Sequence, residues 1–250
     1  MNIRTLPSGY TEWEAPAALR DAVACLWAQV NDFSAERAGL VLPDGCTDLI
    51  WEQGRGTYVA GPDTGPVATT MAAGAVILGV RFRPSAGGPA LGIPLSELRD
   101  LRADLADLRP PQARQLTASL DPQIAADQML DITAALVADG APDPAVTWAA
   151  RLLRDPATRA EDVAAEVGLS LRQLRRRCQA VVGYGPKTLQ RVLRFRRFVS
   201  RVDARPEVLD LAAIAAEAGY ADQAHLTREC GRLSGMTPAA LARQRAALAA

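Results

Sequence analysis

An internal repeat in the C-terminal part of this 250-residue chain constrains its fold more than any other feature of the sequence. The run VAAEVG at 163–168 matches IAAEAG at 214–219 with an offset of 51 residues. Beyond these runs the offset becomes 52, so one extra residue follows Gly219. The pairs at this second offset include Leu174 with Leu226, Cys178 with Cys230, Gly183 with Gly235 and Pro186 with Pro238. Such self-similarity predicts two copies of one supersecondary unit, with the extra residue in a turn.

Each copy carries the signals of a short helix, a tight turn and a longer helix. In the first copy Gly168 can end a helix in the left-handed conformation, and Ser170 can cap the next one. In that second helix Leu174 and Cys178 belong to one apolar stripe, which Gly183 ends. The corresponding residues of the second copy are Gly219, Asp222, Leu226, Cys230 and Gly235. This order is typical of a helix-turn-helix motif, and two occurrences are far more specific than one.

Charge divides the chain in the same region. Residues 1–150 contain 10 basic and 18 acidic side chains, whereas residues 151–250 contain 18 basic and 10 acidic ones. The segment 167–202 has ten basic residues and no acidic residue. This asymmetry predicts two domains, of which the C-terminal one contacts a polyanion. We place an N-terminal sensor or dimerisation domain at 1–140 and a tandem helix-turn-helix domain at 145–245.

The C-terminal motifs resemble those of one family. The segments AAEVGLS at 164–170, GYADQAHLTRE at 219–229 and GMTP at 235–238 are similar to the tandem helix-turn-helix domain of AraC/XylS-type transcriptional regulators. Cys178 and Cys230 stand where that family usually has Phe. The resemblance implies a sequence-specific DNA-binding regulator. It also implies double-stranded promoter DNA, RNA polymerase and a second copy of the chain, in a homodimer, as partners.

The residues that would contact DNA follow from helical geometry, with Leu174 taken as the buried direction. A recognition helix presents its outward N-terminal residues to base edges in the major groove. The residues predicted to read bases are Arg172, Gln173, Arg175, Arg176, Gln223, His225, Thr227 and Arg228. Those predicted to contact phosphates are Ser170, Lys187, Arg194, Arg197 and Arg201. Two alternatives stay open, namely that some of the base-reading arginines contact phosphates alone, and that His225 is a partly buried ring bonded to backbone.

Two further expectations concern single positions. Because Ala224 stands where the first copy has Arg172, we expect the two half-sites to be read unequally. In the helix that connects the copies, from Pro186 to about Val202, Arg196 points into the apolar sector. A buried arginine needs a partner, so Arg196 is predicted to be structural and bonded to a carboxylate or to helix-end carbonyls.

The N-terminal part has the signals of a β-rich domain followed by helices. Short β-type runs occur at 40–42, 47–51, 57–60 and 75–83, and helical character returns at 95–108 and 122–138. This order resembles the sensor domain of AraC-type regulators, a cupin-like β sandwich or barrel with an α-hairpin. The whole chain is therefore predicted to be α+β, with an all-α C-terminal domain. Trp51, Arg81 and Arg83 are candidates for an effector pocket that takes a small anion or aromatic compound; the alternative is core packing plus surface charge.

Composition disfavours enzymes and membrane proteins. A single histidine and four cysteines without a CxxC pair disfavour a His-rich zinc site or a Ser-His-Asp triad. We expect no metal, no cofactor and no catalytic residue, since Asp44, Cys46 and Asp48 would be the only cluster for an enzyme. The longest uncharged apolar stretch, 71–80, is about half of the roughly 20 residues of a membrane helix, so a cytoplasmic protein is expected. Beside a regulator that senses an effector and an enzyme, the third hypothesis is a DNA-binding protein whose N-terminal domain contacts only another protein.

Overall fold

The computed structural model of the chain describes residues 8–117, 120–204 and 210–249. These residues contain two large hydrophobic cores. The first is built from residues between Ala15 and Leu136, and the second from residues between Val146 and Ala242. In the parts of the chain that the structure describes, no helix is long and apolar enough to cross a membrane.

The N-terminal part is a mainly antiparallel β structure. Its described strands are β1 (Gly9–Trp13), β2 (Val23–Val30), β3 (Arg37–Val41), β4 (Thr47–Glu52), β5 (Gly56–Ala60), β6 (Val67–Met71), β7 (Val76–Phe82) and β8 (Arg102–Asp104). Six of them form one sheet in the order β1-β2-β7-β4-β5-β8, and β3 pairs with β6 in a separate two-stranded ribbon. The six-stranded sheet is open, with β1 and β8 as its two edges.

The two faces of this sheet differ because successive side chains of a strand point in opposite directions. On β4, Leu49 and Trp51 face the first core, whereas Ile50 joins Trp27 in a small apolar cluster on the opposite face. Trp27 covers β7 at Gly79, where an added Cβ would lie 2.0 Å from the indole ring. Only a glycine leaves room for this ring in the centre of the sheet.

Helices cover the face of the sheet that carries Leu49 and Trp51. The described ones are α1 (Gly87–Leu91), α2 (Leu105–Leu108), α3 (Pro110–Ala113) and α4 (Pro122–Asp139), with 3-10 turns at Ala17–Leu19 and Leu95–Glu97. The Asp121 side chain caps α4 by accepting a hydrogen bond of 2.9 Å from the backbone N–H of Gln123. The buried residues of α4, among them Met129, then pack into the first core.

The predicted order of a β-rich domain followed by helices is confirmed. The sequence signals miss four strands, β1, β2, β6 and β8. The prediction of helix throughout 95–108 is wrong, because this segment contains a 3-10 turn, β8 and the short α2. β8 pairs with β5, so a sheet partner overrides the local helical preference at this point.

The described C-terminal part is helical. Its helices are α5 (Pro144–Leu152), α6 (Ala160–Glu166), α7 (Leu171–Val182), α8 (Pro186–Ala204), α9 (Leu211–Ala218), α10 (Gln223–Ser234) and α11 (Pro238–Ala249). The predicted caps are confirmed, since Ser170 and Asp222 begin α7 and α10. Gly183 and Gly235 end them at φ of +89° and +70°, in the left-handed region that favours glycine. The extra residue of the second unit lies in the turn between Gly219 and Asp222.

Helix α8 supports both repeated units. Its two phenylalanines, Phe195 and Phe198, are fully buried, and their ring centroids lie 6.3 Å apart. The same core contains Cys178 of α7 and Cys230 of α10, both fully buried. The second helices of the two units, α7 and α10, therefore share one apolar support.

The two domains are in contact mainly through the first unit and the helix α8. Leu42 of the N-terminal domain packs against the second core, and a Cβ added at Gly45 would lie 3.2 Å from Leu189 of α8. A Cβ added at Gly88 of α1 would lie 3.1 Å from the Cα of Val181 in α7. The glycine at position 88 lets the backbones of α1 and α7 approach closely, and the one at position 45 leaves room for the Leu189 side chain.

Candidate nucleic-acid interface

The start of α7 is fixed by a reciprocal capping arrangement. The Ser170 hydroxyl accepts a hydrogen bond of 3.2 Å from the Gln173 backbone N–H, and the Gln173 side-chain oxygen accepts one of 2.9 Å from the Ser170 backbone N–H. Two N–H groups that a helix start leaves without partners are thereby satisfied. Gln173 is exposed, as a base-reading residue must be, but its side chain is bonded back to the helix start.

The outward side of α7 is a row of exposed arginines. Arg172, Arg175 and Arg176 are all exposed, whereas Leu174 and Cys178 on the other side are fully buried. Arg177 is 44% exposed and lies 3.5 Å from the Asp143 carboxylate, which caps α5. The geometry therefore places the three predicted arginines of this helix together on one solvent-facing surface.

Cations of the first unit affect the pKa of a carboxyl on the neighbouring helix α6. The pKa of the Glu161 carboxyl is lowered, first by a hydrogen bond to its own backbone and then by the charges of Lys187, Arg159 and Arg175. Lys187 is exposed at the start of α8. The first unit thus presents exposed cations both on α7 and at the start of α8.

The start of α10 is built in the same way but carries fewer charges. The Asp222 side chain accepts a hydrogen bond of 2.6 Å from the His225 backbone N–H. The exposed residues are Gln223, Ala224, Thr227 and Arg228. The Thr227 hydroxyl donates a hydrogen bond of 2.8 Å to the Gln223 carbonyl. Arg228 is the one cation among these four residues.

His225 faces the interior of the C-terminal domain. Its ring stands edge-on to Tyr220 with centroids 5.2 Å apart, and its Nε2 lies 3.6 Å from a Glu229 carboxylate oxygen. The ring of His225 therefore contacts two side chains. The sequence alone left open a bond to backbone or a contact with DNA. Base reading by His225 would require this arrangement to open.

Glu229 is the centre of a polar cluster that sequence reasoning did not find. It is 8% exposed and accepts hydrogen bonds of 3.1 Å from Arg191 and Arg194, both on α8. The Arg194 guanidinium also lies 5.0 Å from the centroid of the Tyr220 ring. These contacts connect α8 to α10. The available signal was Glu229 itself, an acidic residue next to Cys230 of the apolar stripe.

Two predictions about the arginines of α8 are wrong. Arg196 has the carboxylate partner that is predicted for it, Asp44 of the N-terminal domain at 3.1 Å, but its side chain is 51% exposed and not buried. Arg194 is predicted to be exposed for phosphate contact, but it is 14% exposed and bound to Glu229. The reason is that α10 covers one side of α8, and its carboxylate holds the arginine that helical geometry alone places in solvent.

The remaining predicted phosphate-binding residues have these positions. Arg197 donates a hydrogen bond to the Arg154 carbonyl, and the Arg201 guanidinium lies 3.6 Å from the Glu217 carboxylate with 45% of its side chain exposed. Ser170 is exposed at the start of α7, close in sequence to the three arginines. Their role in DNA binding stays a prediction.

Trp51, Arg81 and Arg83 do not line one pocket. Trp51 is fully buried on the core face of β4, and its indole N–H donates a hydrogen bond of 2.9 Å to the Thr117 carbonyl. Arg81 lies on the opposite face of the sheet, and Arg83 donates a hydrogen bond of 2.7 Å to the Arg20 carbonyl. The prediction of a shared effector pocket is wrong because the period of a strand separates these side chains.

Arg81 belongs instead to a charged cluster at the domain contact. Its guanidinium lies 3.1 Å from Glu12, 3.2 Å from Asp44 and 3.1 Å from Asp48. Asp48 also accepts a hydrogen bond of 2.7 Å from the Trp27 indole. Burial raises the pKa of the Asp48 carboxyl to about 6, although the Arg81 charge opposes the shift.

This cluster is poorly suited to catalysis. The Cys46 backbone N–H donates a hydrogen bond of 2.8 Å to Asp44, which places the three residues of the alternative enzyme hypothesis close together. Burial and the Asp44 charge raise the pKa of the Cys46 thiol well above its ordinary value, and a protonated thiol is a poor nucleophile. In the part of the chain that the structure describes, no group of three His, Cys, Asp or Glu residues is arranged to hold a metal ion.

A cavity lies between β2, β7 and α4 in the N-terminal domain. It measures about 10 Å³ and is lined by apolar residues, among them Leu26, Leu78 and Met129. This leaves room for about one water, whereas pockets for drug-sized ligands measure roughly 300 Å³ or more. A ligand at this place would require the helix to move away from the sheet.

Two family models match the chain. One is described as a helix-turn-helix domain and matches residues 163–244, which span α7, α8 and α10. The other is described as a domain of unknown function (DUF6597) and matches residues 11–104, which include the six-stranded sheet. No curated protein matches the sequence.

Solved structures with a similar course of the chain include ToxT from Vibrio cholerae. ToxT from strain O395 has 11% sequence identity and a TM-score of 0.48, over 87% of this chain and 96% of that one. Wild-type ToxT from strain SCE256 with a bound unsaturated fatty acid has 11% identity and a TM-score of 0.44, over 89% and 96%. Similarity at this level carries no argument about ligand or mechanism.

The family matches and the geometry of the C-terminal helices agree with each other. The helix-turn-helix model covers the residues in which the structure has two such units, each with a capped second helix that ends at a left-handed glycine. The protein therefore carries a tandem helix-turn-helix DNA-binding domain of the AraC type, preceded by a domain of the DUF6597 family.

Proposed function

We propose that the protein is a transcriptional regulator that reads promoter DNA with α7 and α10. One observation carries this proposal: both helices begin at the surface with their outward N-terminal residues exposed, while their other sides pack in one core around α8. Two recognition helices on one support can enter adjacent major grooves, about 34 Å apart. The operator is then expected to contain two half-sites on one side of the duplex.

The first unit supplies most of the base-reading groups. Arg172, Arg175 and Arg176 carry no ion pair among the contacts of the described residues, so their guanidinium groups can turn toward guanine O6 and N7. In the second unit Arg228 is the corresponding cation, with Gln223 beside it. Gln173, bonded to the helix start, and His225, turned inward, are weaker candidates.

Phosphate binding falls to the cations around the first unit. The Ser170 hydroxyl lies at the start of α7, Lys187 lies at the start of α8, and Arg197 and Arg201 lie further along α8. We leave Arg194 out of this set, because Glu229 occupies its guanidinium. A chain that acts on promoter DNA in this way works in the cytoplasm, as its composition predicts.

The test is selection of DNA by the full-length chain from a random duplex library, followed by affinity measurements across a salt series. A retained consensus with two half-sites and a steep loss of affinity with salt is expected, because phosphate contacts release counterions. The double variant R172A/R176A should lose the consensus. The matched control is Arg114→Ala, which removes an exposed arginine of the N-terminal domain. A chain that retains no sequence from the library would contradict the function.

The N-terminal domain is proposed to control DNA binding in response to a small effector. The supporting observation is Asp44, whose carboxylate contacts both Arg81 on the sheet and Arg196 on α8. A ligand that displaces Asp44 from Arg81 would change the support of the recognition helices. The alternative, a domain that binds only RNA polymerase or a second copy of the chain, requires no such ligand.

Thermal unfolding of the full chain against a panel of small anions and aromatic compounds distinguishes these roles. A compound that raises the melting temperature of the wild type, and does so less in an Arg81→Gln variant, supports the effector. Arg55→Gln is the control, because Arg55 lies on the turn between β4 and β5 and pairs with Glu52. Mass measurement in solution then shows whether the protein is a homodimer.

A further inference from the structure

We propose that the β5–β6 loop at residues 61–66, called the bridging loop here, holds the C-terminal ends of both recognition helices and thereby sets the distance between their base-reading ends. This inference rests on the proposed DNA-binding function. It assigns a specificity-determining role to a part of the N-terminal domain that does not belong to the helix-turn-helix units.

The bridging loop lies beside the same position of both repeats, closely at the end of α7 and more loosely at the end of α10. A Cβ added at Gly183, the end of α7, would lie 2.4 Å from the Pro62 ring. A Cβ added at Gly235, the end of α10, would lie 3.7 Å from the Pro66 ring. The neighbouring Gly65 faces the Arg232 carbonyl in the last turn of α10, at 3.9 Å from an added Cβ.

The sequence of the loop matches this arrangement. It reads Gly61-Pro62-Asp63-Thr64-Gly65-Pro66, so a Gly-Pro pair occurs twice, four residues apart. Each proline meets one of two glycines that occupy equivalent positions in the tandem repeat. Two copies of a short motif therefore face two copies of a helix end.

The loop is braced by the segment that leads into β8. Arg102 donates two hydrogen bonds, of 2.8 Å and 2.7 Å, to the two oxygens of Asp63, which is 7% exposed. The Asp100 carboxylate accepts hydrogen bonds of 2.6 Å from the Thr64 backbone N–H and 2.9 Å from its hydroxyl. Asp100 has a φ of +60°, which a residue with a side chain rarely adopts unless its surroundings hold it.

Proline rings add stiffness to this bracing, because their φ angle is fixed near −65°. The bridging loop is thus a stiff connection between two helix ends rather than a flexible linker. α8 connects the same two helices from inside the C-terminal domain. With a helix of 12 residues measuring about 18 Å, a shift at its C-terminal end changes where its N-terminal end meets the groove.

The expected consequence concerns the spacing of the half-sites. An inserted base pair moves two half-sites apart by about 3.4 Å, which a fixed pair of helices cannot follow. The wild type should therefore bind a selected operator at least about tenfold more tightly than the same operator with one base pair added or removed, as for a mismatch. Loss of the loop contacts should lower this ratio.

The test compares P62A/P66A, Asp63→Asn and the control Glu52→Gln, all in the full-length chain. P62A/P66A removes both rings, and Asp63→Asn weakens the brace without touching the recognition helices. Glu52→Gln alters the end of β4, which pairs with the first residue of β5, at the far end of that strand from the loop. Each variant is measured on the spacing series and by hydrogen exchange of the amides at the ends of α7 and α10 without DNA. We expect the first two to lower the spacing ratio to about threefold or less and to speed exchange at both helix ends.

Three outcomes separate the hypotheses. An unchanged spacing ratio with unchanged exchange in both P62A/P66A and Asp63→Asn overturns the role of the bridging loop. The same loss in Glu52→Gln also overturns it, because the effect would then be a general weakening of the domain. If the wild type selects no DNA sequence, the proposed function fails, whereas faster exchange in the two loop variants alone would still establish that the loop holds both helix ends.

Discussion

The two helix-turn-helix units have the same backbone design and different surroundings. Both recognition helices start at a capped residue, end at a left-handed glycine and bury a cysteine at the same position of the repeat. α7 then carries three exposed arginines at its start and packs against α1 and the Leu95–Glu97 turn of the N-terminal domain. α10 carries fewer charges and is fastened to α8 through Glu229.

One pair of equivalent positions shows how this difference arises. Arg177 in the first unit corresponds to Glu229 in the second. Arg177 points to solvent and to the Asp143 cap, whereas Glu229 points inward to Arg191 and Arg194. The two units thus share a capping side chain at the start and a glycine at the end of their second helices. The side chains between these ends contact different partners in each unit.

The largest expected effect tests this pair directly. Glu229→Gln leaves Arg194 largely buried without its counter-charge, so the free energy of unfolding should fall by about 3 kcal/mol. Arg177→Ala removes only a long, exposed ion pair and should change it by less than about 1 kcal/mol. Denaturant unfolding followed by circular dichroism measures both. Equal losses would mean that the two units are fastened in the same way.

The two terminal glycines provide the next comparison. Alanine at Gly183 or Gly235 forces a side chain into the left-handed region, at a cost of about 1–2 kcal/mol in either unit. At Gly183 the added methyl also collides with Pro62, which should cost about 1–3 kcal/mol more.

Thermal unfolding of Gly183→Ala and Gly235→Ala, each repeated in a Pro62→Ala background, measures this difference. The excess cost at Gly183 should shrink in that background, because the ring carbon that the methyl meets is absent. An excess that persists there would assign the strain to the Leu95 carbonyl, which lies 3.0 Å from the added Cβ.

Unequal reading of DNA is the third comparison. Arg172→Ala should cost about 1–3 kcal/mol of binding free energy and relax the preference at one base pair. Ala224→Arg places a cation at the equivalent position of α10, so it should tighten binding and steepen the salt slope by about one. Binding to a set of single-base operator variants measures both changes. An even loss across all positions for Arg172→Ala would reduce its role to phosphate contact.

The helix starts should give the smallest effects. Ser170→Ala and Asp222→Ala each remove one capping oxygen, and each should lower stability by about 1 kcal/mol. Ser170→Ala also removes one of the two hydrogen bonds that hold the Gln173 side-chain oxygen, the one from the hydroxyl, so base preference should change in this variant alone. A change of base preference in Asp222→Ala instead would show that the cap of α10 itself reaches the DNA.

Most of the C-terminal domain could be predicted because its signals are local. A cap such as Ser170 and a glycine such as Gly183 act within one or two turns of the chain, so a single sequence contains the whole cause. The exchanged roles of Arg194 and Arg196 could not be predicted, since they depend on Glu229 and Asp44, which lie 35 and 152 residues away in the chain.

Several elements of the N-terminal domain also depend on distant parts of the chain, so local signals do not mark them. β2 reads VACLWAQV and is partly buried on both faces, so it lacks the alternation that marks a half-exposed strand. β8 has three residues and is a strand only because β5 lies beside it. The bridging loop reads as an ordinary turn after β5, and its contacts with two distant glycines become visible only in the folded chain.

Occupancy of the proposed DNA-binding surface can be measured through chemical modification of one side chain. Lys187 is the single lysine of the sequence, and it is exposed at the start of α8 in the same unit as the arginines of α7. Reagents that acylate amines will therefore modify this one side chain besides the α-amino group, and the reaction at Lys187 removes a positive charge where DNA is proposed to bind. The rate of modification of Lys187, followed by peptide mass, reports occupancy of the surface without a fusion or an introduced cysteine.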